Sequence, residues 1–363
     1  MGFCNNSIYV HQENSTQILV YSDLWDKNWE QVDSAQIGTV SDYQIFGNLA
    51  LVQHAYGVSL INTQEKSLLW TQEEEISQNK TILDFSENGK NVFVCGQDGK
   101  LFQISVATGE SNELSLPTDI NGISLSYTGS DGWPQKDGTQ FYFTAFDQVK
   151  NTCYVVAWNC ETLEASAYPL CACENGAGRG VLLCAGDGVV YAWEERTKAI
   201  YRLDTNTGET EIIREDIVNQ PVVQILDEEN TICLCEDNRV ILISARGEEM
   251  TVDLGDQKGI SCYLMQDMLL VITDSGNLLR FSRDTGEKLG EAGLEIYRSF
   301  FSNISPDYYH PSRIRWTRID EKNLFIDIFN AGNIIQTEQW EVVAFVPECV
   351  GYLPSENSFL TGL

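Results

Sequence analysis

The sequence predicts an all-β fold, a β-propeller of eight, alternatively seven, four-stranded blades, and three observations carry that prediction. Short strand-like runs separated by turn residues fill the chain, with few stretches at helical spacing. Asn-Gly and Asp-Gly pairs sit where tight hairpins need positive φ, as at Asn88-Gly89 and Asp98-Gly99. Corresponding turns return roughly every 40 to 55 residues, the length of a blade of four strands.

The clearest unit runs from Asp84 to Glu110. It reads as a strand, the Asn88-Gly89 hairpin, a strand to Gly96, the Asp98-Gly99 hairpin, a strand to Ser105, then a Thr108-Gly109 turn into a fourth strand. An earlier copy covers Gly47 to Trp70. Later ones lie around Leu203–Glu209, Cys233–Ser244 and Val271–Glu287, and a further copy spans Arg313 to Val346. Ser7 to Val32 supplies strands of one more blade, which the C-terminal strand near Ser358-Phe359-Leu360 completes. Sharing a blade between the two ends closes the ring and removes the exposed sheet edges of an open array. The expected organisation is a single domain, 1–363, with insertions near 127–138 and 294–312.

Composition narrows the function. Twenty-three Lys+Arg face 53 Asp+Glu, a net charge of -30, which argues against nucleic acid or an anionic membrane as partner. With 43% hydrophobic residues the chain can bury a sizeable core. No apolar run approaches the roughly 18 residues of a membrane helix, and Met1–Asn6 has no basic segment leading into an apolar stretch. The 11 cysteines lie mostly in apolar strand-like runs, such as Val92–Cys95 and Thr231–Cys235. They read as small buried hydrophobes in a reducing cytoplasm.

The Asp84–Glu110 unit resembles a WD40-type repeat in its order Ser86-Glu87-Asn88-Gly89-Lys90 … Gln97-Asp98-Gly99-Lys100-Leu101. The Asp…Thr-Gly-Glu turns beginning at Asp204 and Asp284 resemble those of quinoprotein-like propellers. Both likenesses imply the blade architecture. The Gly-His dipeptide of WD40 repeats is absent, since His11, His54 and His310 all lack a preceding Gly, and Trp25-Asp26 is the only Trp-Asp pair. Quinone-binding members of the second family often carry adjacent cysteines. Here the nearest approach is Cys171-Ala172-Cys173, so no quinone is expected.

Chemistry-bearing patterns are sparse. Cys171 and Cys173 flank one residue in a predicted loop, and Cys233 and Cys235 lie two apart on a predicted strand, hence on one face. Structural zinc favours C-x₂₋₄-C with a second matched pair, which neither has in sequence, so no metal or cofactor is expected. Gly176–Gly180 precedes a strand and not a helix, and reads as an inter-blade turn. Three histidines and no Gly-x-Ser-x-Gly elbow leave no assembled nucleophile.

The most unusual stretch, Leu294–Lys322, is mildly basic within an acidic chain. If Arg313–Arg318 is a strand, Arg313 and Arg315 share one face and Ile314 and Trp316 the other. Arginine and aromatic side chains are enriched at binding hot spots, which makes Arg313, Arg315, Trp316, Tyr308 and Tyr309 candidate contacts. Trp133, on the Gly/polar loop Tyr127–Gly138, is a further one. The competing structural reading is an inter-blade insertion whose arginines pair with neighbouring acids. The expected function is a non-catalytic recognition or scaffold module for a protein partner or a small ligand, standing alone or as the sensor part of a larger system. The alternative is a propeller enzyme, quinone-dependent or a carboxylate-based hydrolase, with its site at the central channel.

Overall fold

The computed structural model describes residues 2–4, 7–9, 18–23, 28–31, 40–54, 57–65, 67–73, 80–96, 101–127, 134–147, 149–173, 180–218, 220–226, 231–236, 238–244, 248–294, 314–328, 331–346, 349–353 and 358–362. Every regular element among them is a β-strand. Six four-stranded antiparallel sheets follow one another over 40–73, 80–114, 180–214, 222–253, 259–293 and 314–346. A seventh orders Cys349–Leu353, Ser358–Gly362, Ile18–Asp23 and Asn28–Gln31, joining the two ends of the chain in one sheet. First strands of neighbouring sheets touch, Val40–Phe46 against Lys80–Phe85 and Gly180–Gly186 against Val222–Ile225. Cys349–Leu353 then meets Val40–Phe46 and closes the ring. The molecule is a β-propeller, and among the described residues its four-stranded blades number seven, the smaller of the two expected counts.

One further sheet, 126–172, has five strands. Ser126–Tyr127 and Gln135–Asp137 both pair with Gln140–Asp147, on the edge opposite Thr152–Asn159. Tyr127 faces Ala145 and Gln135 faces Tyr142, so the chain advances eight residues on one side and three on the other. The innermost position of this sheet is therefore one strand broken by an insertion, which is where the sequence places the Trp133 loop. A correction concerns Ser7–Tyr9, expected in the closing blade. It pairs instead with Gly2–Cys4, because the register Cys4↔Ser7 leaves the spacing of a two-residue hairpin between them.

Middle strands are buried on both faces because each sheet is sandwiched between two others. Val189–Glu194 is buried throughout. Its even-numbered residues Val190 and Ala192 pack with Tyr142, Cys153 and Val155 of the preceding sheet. The odd-numbered Val189, Tyr191 and Trp193 pack with Val223, Leu234 and Ile241 of the following one. Period-two alternation thus assigns each residue to a neighbour.

A repeated turn links third to fourth strands. Ser105, Asn159, Asp204 and Ser282 each accept, through the side chain, the N–H of a Thr three residues on, at 3.3, 2.9, 3.2 and 3.2 Å. The next residue donates its N–H to the first carbonyl and has positive φ: Gly109 (72°), Gly208 (76°), Gly286 (69°) and Leu163 (60°). Glycine suits that conformation, and leucine occupies it at a cost.

Candidate functional site

An antiparallel meander sends its first–second and third–fourth connections to one end and its second–third and inter-blade connections to the other. The tight turns just described share the first end. The longest connections all belong to the second: Leu114 to Ser126, Ala172 to Gly180, Arg214 to Val222 and Gly293 to Ile314. One face of the ring is therefore uniform and the other varied.

On the varied face, between the 180–214 and 222–253 sheets, lies an open cavity of about 620 Å³ lined by Ile212, Ile213, Arg214, Glu215, Asp216, Glu236 and Arg239. Its arginines are held by acids of the same sheets. Arg214 Nη1 lies 3.2 and 3.3 Å from the two carboxylate oxygens of Glu249, and Arg239 donates through Nη2 (2.8 Å) and Nε (3.2 Å) to Glu236. The connection beneath is anchored by the buried Ile217, whose N–H reaches the Lys198 carbonyl and whose carbonyl accepts from Trp193 Nε1. Beside that anchor, Ile212 (49%) and Val218 (65%) are exposed. The cavity thus presents both charge signs over an apolar edge.

Two of the candidate contacts of that stretch, Arg315 and Trp316, lie in the described part, on strand Ile314–Arg318. Arg315 sits over the Tyr43 ring, 3.7 Å from its centroid, with Nη1 3.8 Å from Asp327 Oδ2, and donates to the Tyr43 carbonyl. Tyr43 Oη donates to the same Asp327 oxygen at 2.5 Å. Trp316 stacks on Tyr263, centroids 5.3 Å apart and rings 9° from parallel, and its Nε1 donates to the buried Ser261 hydroxyl at 2.9 Å. Ile314 and Trp316 share a face, as the alternation required, and it is the face packed on the 259–293 sheet. Arg315 and Trp316 therefore tie parts of the ring together. Arg313, Tyr308, Tyr309 and Trp133 lie outside the described residues.

The feature that sequence reasoning missed is sulfur. Each C-x-C pair finds a third cysteine in space. Cys171 begins the first pair on strand Ala165–Ala172, not in a loop, and its direct cross-strand partner is Cys153, at a bulge. Cys173, one residue past the strand, is held by its N–H to the Asn151 carbonyl (2.7 Å), and the three sulfurs lie within 4.8 Å of one another. Cys153 and Cys173 are buried, while the Cys171 residue is partly exposed. Gly180 stands against this group, where an added Cβ would come 3.3 Å from Cys153 Sγ and 2.7 Å from Leu170 Cδ2. The hydrogen bond with Cys171, with burial, pushes the Cys153 thiol up to about 12, and the bond to Cys153 with burial also raises Cys173.

The second trio spans two blades. Cys233 and Cys235 lie on Ile232–Glu236 and Cys262 on Gly259–Met265 of the next sheet. Their sulfurs are 2.7 Å (Cys233–Cys262), 3.5 Å (Cys235–Cys262) and 3.9 Å (Cys233–Cys235) apart. All three are buried among Val240, Leu242, Leu269 and Val271. Burial pushes the Cys233 and Cys262 thiols well up, whereas hydrogen bonds from those two neighbours pull Cys235 down. Gln224 Oε1 fixes the second trio by accepting the Cys262 N–H at 2.7 Å. No interval in the sequence predicts either third cysteine, since Cys153 and Cys262 reach their trios only through strand pairing and blade packing.

A buried polar relay completes the inventory. His54 Nε2 lies 2.8 Å from Ser59 Oγ, which lies 2.8 Å from Thr71 Oγ1. His54 and Ser59 are 3% and 0% exposed, and burial holds the imidazole down at about 4. The relay cross-links three strands of the 40–73 sheet.

No protein-family profile and no curated protein matches this chain. Among solved structures, the computationally designed Ika8 protein matches with a TM-score of 0.55 at 12% identity, over 91% of this chain and 98% of that one. Dihydro-heme d1 dehydrogenase NirN, in complex with DHE, matches at 0.56 and 10% identity, over 86% and 67%. BamB from Moraxella catarrhalis matches at 0.52 and 14% identity, over 88% and 92%. NirN and BamB have quinoprotein-like propeller folds, so at these identities the chain shares with them the β-propeller architecture.

Proposed function

We propose that this propeller is a non-catalytic recognition module that engages a protein partner through its varied face. The observation that carries this reading is the coincidence on one face of the long inter-blade connections and the open, two-signed cavity at Ile212–Asp216, Glu236 and Arg239. A rigid ring with variable loops on one side separates the scaffold from the contact surface. Charged residues over an apolar edge suit a partner segment that carries both signs. The many free cysteines among the described residues suit a reducing cytoplasm.

The test is affinity capture under reducing conditions from the source organism's lysate, comparing wild type with Arg214→Glu/Arg239→Glu and with Lys288→Glu as a control outside the cavity. A protein enriched by wild type and by the control, and lost with the double variant, is the expected result. Equal capture by all three would remove the cavity as the contact. No specific capture by wild type would turn attention to a small-molecule ligand or to the enzyme alternative.

A further inference from the structure

We propose that Cys153, Cys171 and Cys173 form a binding site for a single thiophilic d¹⁰ cation of the Zn(II) class. Three thiol sulfurs within 4.8 Å of one another are the donor set that soft and borderline ions select over oxygen. With metal–sulfur bonds of about 2.3 Å in a tetrahedron, neighbouring sulfurs stand about 3.8 Å apart, within that spread. The backbone already fixes two of the donors, because Cys153 and Cys171 are cross-strand partners. The third is set by the Cys173 N–H bond to Asn151.

Its place in the ring and its distances separate this trio from a packing cluster. It lies where an outer strand ends, next to the exposed Ala172, and where the connection from Ala172 to Gly180 leaves for the varied face. The other trio differs in its distances. Cys233 and Cys262 stand 2.7 Å apart, about 1 Å too close to share an ion, and the cluster is enclosed by aliphatic side chains. Three sulfurs leave one position of a tetrahedron for water or an outside ligand. Binding ties the outer strand of the 126–172 sheet to its neighbour and pins the start of the next connection.

The full chain, reduced, anaerobic and stripped with chelator, is titrated with Zn(II) against a chromophoric competitor, and with Cd(II) to read the thiolate charge-transfer absorption. Wild type and Cys235→Ala are expected to hold one equivalent, and Cys171→Ser/Cys173→Ser none. A second measurement needs no variant: Zn(II) should protect Cys171 from maleimide, read by peptide mapping, and leave the Cys233, Cys235 and Cys262 peptides unchanged. Failure of wild type to hold an equivalent overturns the proposal. So does an equivalent that survives in the double serine variant, or an unchanged Cys171 labelling rate.

Discussion

The two cysteine trios are built from the same letters and differ in what surrounds them. Both use a C-x-C pair on or at the end of a strand, a third cysteine supplied by strand pairing or blade packing, and a glycine at the head of the next inner strand. At Gly180 that glycine faces Cys153, and at Gly259 it faces Cys235, where an added Cβ would stand 3.0 Å from the sulfur. One trio sits at the end of an outer strand, where the chain leaves for the varied face. The other is enclosed, its sulfurs packed as small hydrophobes among Leu242, Leu269 and Val271. Position within the ring, more than residue identity, decides whether sulfur acts as ligand or as filling.

The largest test of this contrast is reactivity. In metal-free protein Cys171 should be alkylated at least about 100-fold faster than Cys233, Cys235 or Cys262, which become accessible only through opening of the core. Equal rates, read by peptide mapping in native buffer, would erase the distinction. Stability should diverge next. Cys233→Ser places a hydroxyl in an aliphatic cluster and should cost about 1–3 kcal/mol. Cys171→Ser should stay within about 0.5 kcal/mol. Urea unfolding measures both, and similar losses would mean the first trio is filling as well.

A buried polar group elsewhere provides a pH-dependent comparison. The folded-state pKa of His54, about 4, lies below its ordinary 6.5, so the unfolded chain binds more protons between these values. His54 therefore contributes stability that is present above pH 6.5 and lost as pH falls towards 4. Wild type should lose stability across that window more steeply than His54→Gln, and parallel slopes would count against a buried neutral imidazole. The smallest effect belongs to the first trio's own sheet. Leu163, half exposed at φ 60°, stands where Gly109, Gly208 and Gly286 occupy the sister turns. Leu163→Gly should raise stability by up to about 1 kcal/mol, seen as a shift in the urea midpoint.

The architecture was legible because hairpin chemistry and period-two burial are local. Asn88-Gly89 and the Thr207-Gly208 turn announce themselves within a few residues, and the sharing of one blade by the two chain ends followed from the strand-like runs near Ser7–Val32 and Ser358–Leu360. The sites were not legible in the same way. Arg315 drew notice as a cation in an acidic chain, yet Tyr43 and Asp327, which hold it, lie far away in sequence or on another strand. Cys262 is 27 residues from Cys235, and only the packing of one blade on the next makes them neighbours. Pairings across blades follow from angles and distances between sheets, and no spacing rule along the chain encodes them.

Closure by strands from both ends has a consequence in time. Ile18–Asp23 receives its partner Ser358–Gly362 only after the intervening blades have been synthesised. At about 5–20 residues per second, translation separates the two strands by roughly 20 to 70 seconds. Throughout that interval Ile18–Asp23 has Asn28–Gln31 on one side and an unpaired edge on the other. A holdase, or the early blades folding back over it, must keep that strand from pairing with a neighbouring polysome's product until its mate emerges.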